Sequence, residues 1–474
     1  MCKSKTLIIS ILRNSHRNLS CLSLFATLTK NTIETKLLFI PVENDYNEYL
    51  LSKFLLSSGF GIVGISLVTE GFHFARKLTG DIKKYAPKAH IVWGGIHPTA
   101  MPEECLDYAD SVCIGEGEST FLSLVKRISE NEDISNLPGI GTKSLDGHIT
   151  INASPPLTDN LDLLPFNKYD WSNFYIQDYQ SLRSFDVNDY IQYSNYNGED
   201  YTLMATRSCP YSCSYCCNSF LNKLYKNKGR VRKRSVDNVI QEIRYARENI
   251  ATVKFINFID DQFLTSQKWN EEFSVEYKKW VNLPFAARLA PGSFSNEDIR
   301  ILKDAGLKVV QIGIQSGSER THELIFHRKF NRNNIIEASQ IFKRNDISPK
   351  YDIIIQNDFE DDSDRDKTIE LLLELERPFT CNLFILTPYP KTDLESIYKK
   401  NNIKPRTDPY GKGYVDFDES DFYYQLVSVI PFISEEQCWY FIKYKNDKYV
   451  RSLLQQLYDI KRPSLGYFVW SRQA

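Results

Sequence analysis

From residue 201 to 386, six short apolar runs alternate with helical patterns, an order that suggests a (β/α) barrel or part-barrel. The runs are 201–206, 253–259, 285–289, 309–314, 351–355 and 382–386. The helices between them are marked by spacing and by their ends. Ser235 precedes Val236, Val239, Ile240 and Ile243. Ser295 and Asp298 make a capping-box-like start, and Gly306 closes that helix. Two more run over 335–342 and 369–375, the second stopping before Pro378. In such a barrel the carboxyl ends of the strands share one face. Those ends carry a cysteine loop, Asp260-Asp261, Arg288, Gln315-Ser316, Gln356-Asn357 and Pro388-Tyr389-Pro390.

Residues 1–135 follow a different pattern. Near-continuous apolar runs at 7–12, 36–40, 62–67, 90–93 and 111–114 mark a parallel sheet covered on both faces. Ala75, Leu78, Ile82 and Tyr85 recur at helical spacing between two of them, as Phe121, Leu124, Val125 and Ile128 do after the last. This predicts a doubly wound α/β domain of the Rossmann or flavodoxin kind, with its ligand outside the carboxyl ends of the strands. Those ends carry Ser66 and Thr69, Gly94-Gly95, and Gly115-Glu116-Gly117-Glu118. Glycine there lets backbone approach a ligand, although tight turns also use it. Residues 136–200, rich in Pro, Asn, Asp and Tyr without a period, read as a packed linker. Residues 201–395 are the barrel, and 396–474 a mainly helical extension ending in the hydrophobic Tyr467-Phe-Val-Trp470.

Lys and Arg number 58 against 60 Asp and Glu, a net charge of -2, which excludes a surface built throughout for nucleic acid. No apolar run approaches the roughly 20 residues of a membrane span. The apolar stretch before Arg13 is too short for a signal-peptide core, so a cytoplasmic location is expected. The ten cysteines then need an explanation without disulfides. Cys2, Cys21, Cys105, Cys113, Cys381 and Cys438 are scattered and serve as small hydrophobes. The others sit together in Cys209-Pro-Tyr-Ser-Cys213-Ser-Tyr-Cys216-Cys217. Thiolates spaced C-x3-C-x2-C converge on one centre, a metal or a cluster. A zinc knuckle asks for four closing ligands, and Cys217 could be the fourth only if adjacent side chains did not diverge. Three cysteines leave one iron of a [4Fe–4S] cube open. The run 222–234 carries seven basic residues, which suit an anionic partner or a solvated loop.

The loop Arg207-Ser-Cys-Pro-Tyr-Ser-Cys-Ser-Tyr-Cys, after a strand and before a helix, resembles the radical S-adenosylmethionine (SAM) enzymes. The first domain looks like the cobalamin-binding domain that precedes this barrel in one subgroup. Trp93-Gly-Gly-Ile-His-Pro-Thr, Ile114-Gly-Glu-Gly-Glu-Ser, Phe258-Ile-Asp-Asp-Gln-Phe, Ile312-Gly-Ile-Gln-Ser-Gly and Leu386-Thr-Pro-Tyr-Pro carry the likeness, from about residue 55 to 395. It implies that Cys209, Cys213 and Cys216 hold a [4Fe–4S] cluster whose open iron chelates SAM, which is cleaved to a 5′-deoxyadenosyl radical. By the same likeness Tyr215 lies near the adenine, and Asp260 or Asp261 meets the SAM amino group. Arg288 pairs with its carboxylate, and Gln315 faces the ribose. Cobalamin is expected at Ser66, Thr69, Gly94, Gly95, Gly115, Glu116 and Gly117.

Three departures stand out. Val42-Glu-Asn-Asp-Tyr-Asn-Glu replaces the histidine loop that ligates cobalt elsewhere, so cobalamin would bind without a protein histidine. Gln315 replaces a family glutamate. Gln356-Asn-Asp-Phe-Glu replaces a Gly-x-Pro-Gly-Glu turn. The resemblance implies a cobalamin-dependent methyltransferase on an unactivated carbon of a small molecule, served by an electron donor such as flavodoxin or ferredoxin. A non-methylating oxidation, cyclisation or rearrangement needs the same residues. An RNA methylthiotransferase would need further cluster cysteines and an RNA-binding module. A non-catalytic cobalamin-binding protein would have no use for the cysteine triad.

Overall fold

The computed structural model describes residues 5–11, 18–41, 43–194, 198–227, 229–263, 266–411 and 417–462. Cys2, Val42, Lys228 and the Tyr467–Trp470 cap lie outside them.

The first domain alternates β1 (Thr6–Ser10), α1 (Leu19–Lys30), β2 (Thr35–Phe39), α2 (Glu48–Ser58), β3 (Ile62–Ser66), α3 (Phe72–Tyr85) and β4 (His90–Gly94). Short helices α4 (Ile96–Ala100) and α5 (Pro102–Cys105) lead to β5 (Ser111–Cys113) and α6 (Gly117–Glu130). The first five strands are parallel and lie in the order 5-4-3-1-2. The order reverses between β1 and β3, the point where a doubly wound sheet opens a crevice for a ligand. Apolar side chains on alternate faces feed two cores. Ile8 and Leu37 pack beneath α1 and α6, while Leu7, Ile9, Val63 and Ile65 pack beneath α2 and α3.

The segment expected to be a linker completes this sheet. β6 (Ile140–Lys143) and β7 (Ile149–Ile151) extend it beyond β5, and β8 (Phe174–Gln177) and β9 (Leu182–Ser184) extend it beyond β2, giving nine strands. Strands of three or four residues are too short to show a period between turn-forming residues, which is why the run read as irregular. α7 (Val187–Gln192), opened by an Asp186–Asp189 capping box, ends the segment.

The second sheet is wholly parallel: β10 (Asp200–Leu203), β13 (Phe255–Phe258), β14 (Phe285–Leu289), β15 (Leu307–Gln315), β16 (Ser348–Gln356) and β17 (Thr380–Ile385), in that order. It is the expected six-stranded part-barrel. Between its first two strands lie a ribbon of β11 (Thr206–Arg207) and β12 (Arg232–Lys233), with α8 (Cys217–Leu224) and then α9 (Val236–Asn249). α10 (Gln267–Trp280), α11 (Asn296–Ala305), α12 (Glu319–Thr321), α13 (Arg332–Arg344) and α14 (Asp362–Glu374) are the crossovers. α15 (Asp393–Lys400), α16 (Phe422–Val429), α17 (Glu435–Lys443) and α18 (Lys448–Lys461) follow the last strand. Leu426, Leu454 and Tyr458 pack this extension into the main core. No helix among the described residues is long and apolar enough to cross a membrane.

Candidate active site

The cysteine loop joins β11 to α8 at the carboxyl ends of the barrel strands. Ser208 opens it at φ 77°, and the backbone N–H of Ser214 is tied to Phe326 O at 3.0 Å. Cys209, Cys213 and Cys216 are part-buried, and Cys217 begins α8 on the exposed side. Burial pushes the Cys209 thiol up to about 12, and Asp261 with the thiols of Cys216 and Cys213 adds to it. Thiols that raise one another in this way ionise together only around a cation, which suits a thiolate-held cluster. Among the described residues no three His, Cys, Asp or Glu side chains are grouped to hold a single ion. A cube asks for a wider set, because each thiolate takes a different iron. The Cys216 and Cys217 thiols hydrogen-bond to one another, so these neighbours do not diverge as expected.

The residues expected to hold SAM divide. Asp260 is fully buried and turned inward, where Oδ1 accepts from the Thr206 hydroxyl at 2.6 Å and from the Thr206 backbone N–H. Burial raises its carboxyl to about 7. It anchors the β11 ribbon. Asp261 is the exposed member of the pair, with Arg288, Asn218 and the cysteines as its electrostatic neighbours. Tyr215 packs edge-on against Phe326, ring centres 5.0 Å apart, and its hydroxyl hydrogen-bonds with Cys213 and Arg328. Gln315 sits at φ 72°, at a break in the β15–β16 register, and its amide lies against Gly313. Arg328, which donates to Gly313 O at 2.8 Å, is the cation beside Cys213 and Tyr215. Sequence reasoning missed it, because nothing in His327-Arg328-Lys329 distinguishes it from a surface cation.

Arg288 belongs to a polar row on the face of the sheet turned away from the helices. Its Nε donates to Gln311 Oε1 at 3.2 Å and its Nη1 to Ile259 O at 3.2 Å. Gln311 Nε2 donates to Asp352 at 2.9 and 3.0 Å, and Asn382 Nδ2 donates to Asp352 Oδ1 at 2.9 Å. On β15, Val310, Ile312 and Ile314 are buried under the helices, whereas Gln311, Gly313 and Gln315 between them keep part of their surface exposed. The inner wall is therefore polar and open, unlike the apolar layers that fill a closed barrel. The polar positions at every second residue of β15 were the available signal.

In the first domain a cavity of about 370 Å³ opens at the switch point. Ser66, Gly94, Gly95, Gly115, Glu116 and Gly117, the residues assigned to cobalamin from sequence, line it. Thr69 does not; it is buried against His97, Oγ1 to Nδ1 3.3 Å. A Cβ on Gly95 would lie 2.5 Å from Leu67 O, so that glycine is also required by its turn. The cavity is shared with the barrel domain through Met204, Arg207 and Leu221.

Much of the basic run is engaged internally. Arg232 pairs with Glu116, Arg234 with Glu242, Arg230 with Asp159 and Lys223 with Asp393. Four of its cations are therefore engaged by the protein's own carboxylates, and Lys233 donates to the Ser266 hydroxyl at 3.0 Å. At the fifth strand end, Gln356 exchanges two hydrogen bonds with the Asp418 backbone, so it holds the C-terminal extension.

A six-stranded part-barrel with a three-cysteine loop at its mouth, behind a doubly wound domain with a glycine-lined cavity, defines a radical SAM enzyme with a cobalamin-type domain. Residues 203–372 match the Radical SAM superfamily and residues 6–125 the B12 binding domain, and the chain belongs to the radical SAM enzymes that combine the two. It is 27% identical over 350 residues to "Uncharacterized methyltransferase PH0819" of Pyrococcus horikoshii, covering 72% of this chain and 70% of that one. It is 25% identical over 351 residues to cytidylyl-2-hydroxyethylphosphonate methyltransferase of Streptomyces wedmorensis, covering 65% and 62%. It is 24% identical over 375 residues to anaerobic magnesium-protoporphyrin IX monomethyl ester cyclase of Rubrivivax gelatinosus, covering 76% and 62%. Among solved structures, the methyltransferase TsrM from Kitasatospora setae aligns with a TM-score of 0.68 at 15% identity, covering 84% of this chain and 76% of that one. The cobalamin-dependent enzyme OxsB aligns at 0.69 and 15%, covering 98% and 72%.

Proposed function

We propose that the protein is a cobalamin-dependent radical SAM methyltransferase acting on an unactivated carbon of a small molecule, without a protein histidine on cobalt. The observation that carries the reading is the shared cavity: the surface suited to cobalamin is completed by Arg207, two residues from the first cysteine. The cluster, SAM and cobalamin supply electron transfer, the radical and methyl carriage when bound. The chain's own residues hold and orient. Cys209, Cys213 and Cys216 give up their thiol protons to hold iron. The Asp261 carboxylate accepts from the SAM ammonium, and the Arg328 guanidinium, beside Cys213 and Tyr215, takes its carboxylate. Arg288, to which sequence assigned that role, is engaged with the Gln311–Asp352 row and faces the substrate. Tyr215 and Gln315 flank the nucleoside. The open inner wall receives a polar substrate and shields it from water. Free thiols and a thiolate cluster suit the reducing cytoplasm, where a flavodoxin or ferredoxin can deliver electrons.

The second reading, a radical cyclisation or oxidation, is supported by the name of the cyclase relative. The test is cofactor content followed by product. The protein is expressed with cobalamin available, reconstituted anaerobically, gel-filtered and assayed. About four irons per chain with equimolar cobalt, then S-adenosylhomocysteine among the products, is the expected result. Iron without cobalt hands the lead to the second reading. Zinc in place of iron ends the radical mechanism.

A further inference from the structure

The loop Gly115–Glu118 of the first domain is gripped from the barrel domain on both flanks of the cysteine loop. On one flank, β11 and β12 pair so that Arg207 lies opposite Arg232. Arg207 Nη2 donates to Glu118 Oε1 at 2.6 Å, and Arg232 Nη1 to Glu116 Oε2 at 3.0 Å. Arg232 also donates to Thr158 O at 2.9 Å, and its side chain is only 2% exposed. Ser23 of α1 fixes Glu118 from below at 2.7 Å. Burial alone would lift the Glu118 carboxyl; Arg207 outweighs it and holds that group below its ordinary value. On the other flank, α8 starts at Cys217 and runs eight residues to Tyr225, a rigid reach on the order of 12 Å. The Tyr225 hydroxyl accepts from the Glu116 N–H at 2.7 Å and occupies the space beside Gly115 that a Cβ would need.

We infer that Tyr225 and Arg232 are positioning residues that lock the glycine loop to the cysteine loop, so that cobalamin and SAM bind cooperatively. The inference rests on the cobalamin reading above. A ligand that settles the glycine loop also settles both ends of the cysteine loop, and the coupling acts equally in the other direction.

The test measures binding, not turnover. Cluster-reconstituted protein is titrated with hydroxocobalamin, with and without SAM, in the absence of reductant, and the dissociation constant is read from visible absorbance after ultrafiltration. In the wild type, SAM is expected to tighten hydroxocobalamin at least fivefold. Tyr225→Phe and Arg232→Lys are expected to bring that ratio below about twofold, with iron content kept. Unchanged ratios in both variants, or no ratio in the wild type, overturn the inference and leave the proposed function standing. A wild type that takes up no hydroxocobalamin overturns both. If Arg232→Lys loses iron, Tyr225→Phe, which removes one hydroxyl, decides alone.

Discussion

Two adjacent aspartates show how little sequence position says about role. Burial raises the Asp260 carboxyl from 3.8 to about 7. The stability this permits is fully present below the unfolded value and is lost as pH rises through about 7, because the unfolded chain releases its proton first. Urea titrations between pH 5 and 8 should show the wild type losing a few kcal/mol that Asp260→Asn retains. Burial raises the Asp261 carboxyl as well, and Asp261 adds to the Asp260 shift, so Asp261→Asn should flatten the same titrations in part. It should also weaken SAM binding about tenfold or more by isothermal calorimetry, the loss of roughly 1.5 to 3 kcal/mol expected for a charge-assisted hydrogen bond. The Asp-Asp pair was legible as a site feature, but the division of roles was not, since it depends on which carboxylate meets Thr206. The cysteine triad was legible as a candidate because its three residues are local in the chain. Arg328 and Asp352 were not, because each is one charged residue whose neighbours come from other strands.

Glycine and short strands decide matters at the scale of elements. Gly115 holds φ 80° and leaves the Tyr225 hydroxyl within 1.6 Å of where a Cβ would stand. Gly115→Ala should therefore push the β5–α6 turn off the barrel domain. It should lower the melting temperature by several degrees, for a cost of about 1–3 kcal/mol, and abolish cobalt retention after gel filtration. Strands β1 to β5 were readable from sequence, since helices cover both faces and make them nearly continuously apolar, and the barrel strands were readable as short apolar runs between helical patterns. The four outer strands β6 to β9 were not, because strands of three or four residues carry turn chemistry instead of a hydrophobic signature.

The whole molecule depends on contacts between distant segments. Gln356 ties the fifth barrel strand to Asp418, Tyr410 donates to Glu104 at 2.9 Å, and Leu454 is fully buried in the main core. Leu454→Ala should cost about 2–5 kcal/mol in chemical denaturation by opening a cavity, while iron and cobalt contents stay at wild-type values. Such contacts have no local signature, so the extension read only as loosely patterned helices.

The pairing of Glu116 and Glu118 with Arg232 and Arg207 also bears on how such chains can be recombined. A breakpoint near residue 198, between two complete folds, looks harmless to each half. It parts acids from the bases that neutralise them, and strands a nearly buried guanidinium when the incoming half lacks the acids. Chimaeras with relatives should succeed when the two acids and two arginines are inherited as a set, whichever side of the breakpoint supplies the rest. The heritable module in this enzyme is the seam.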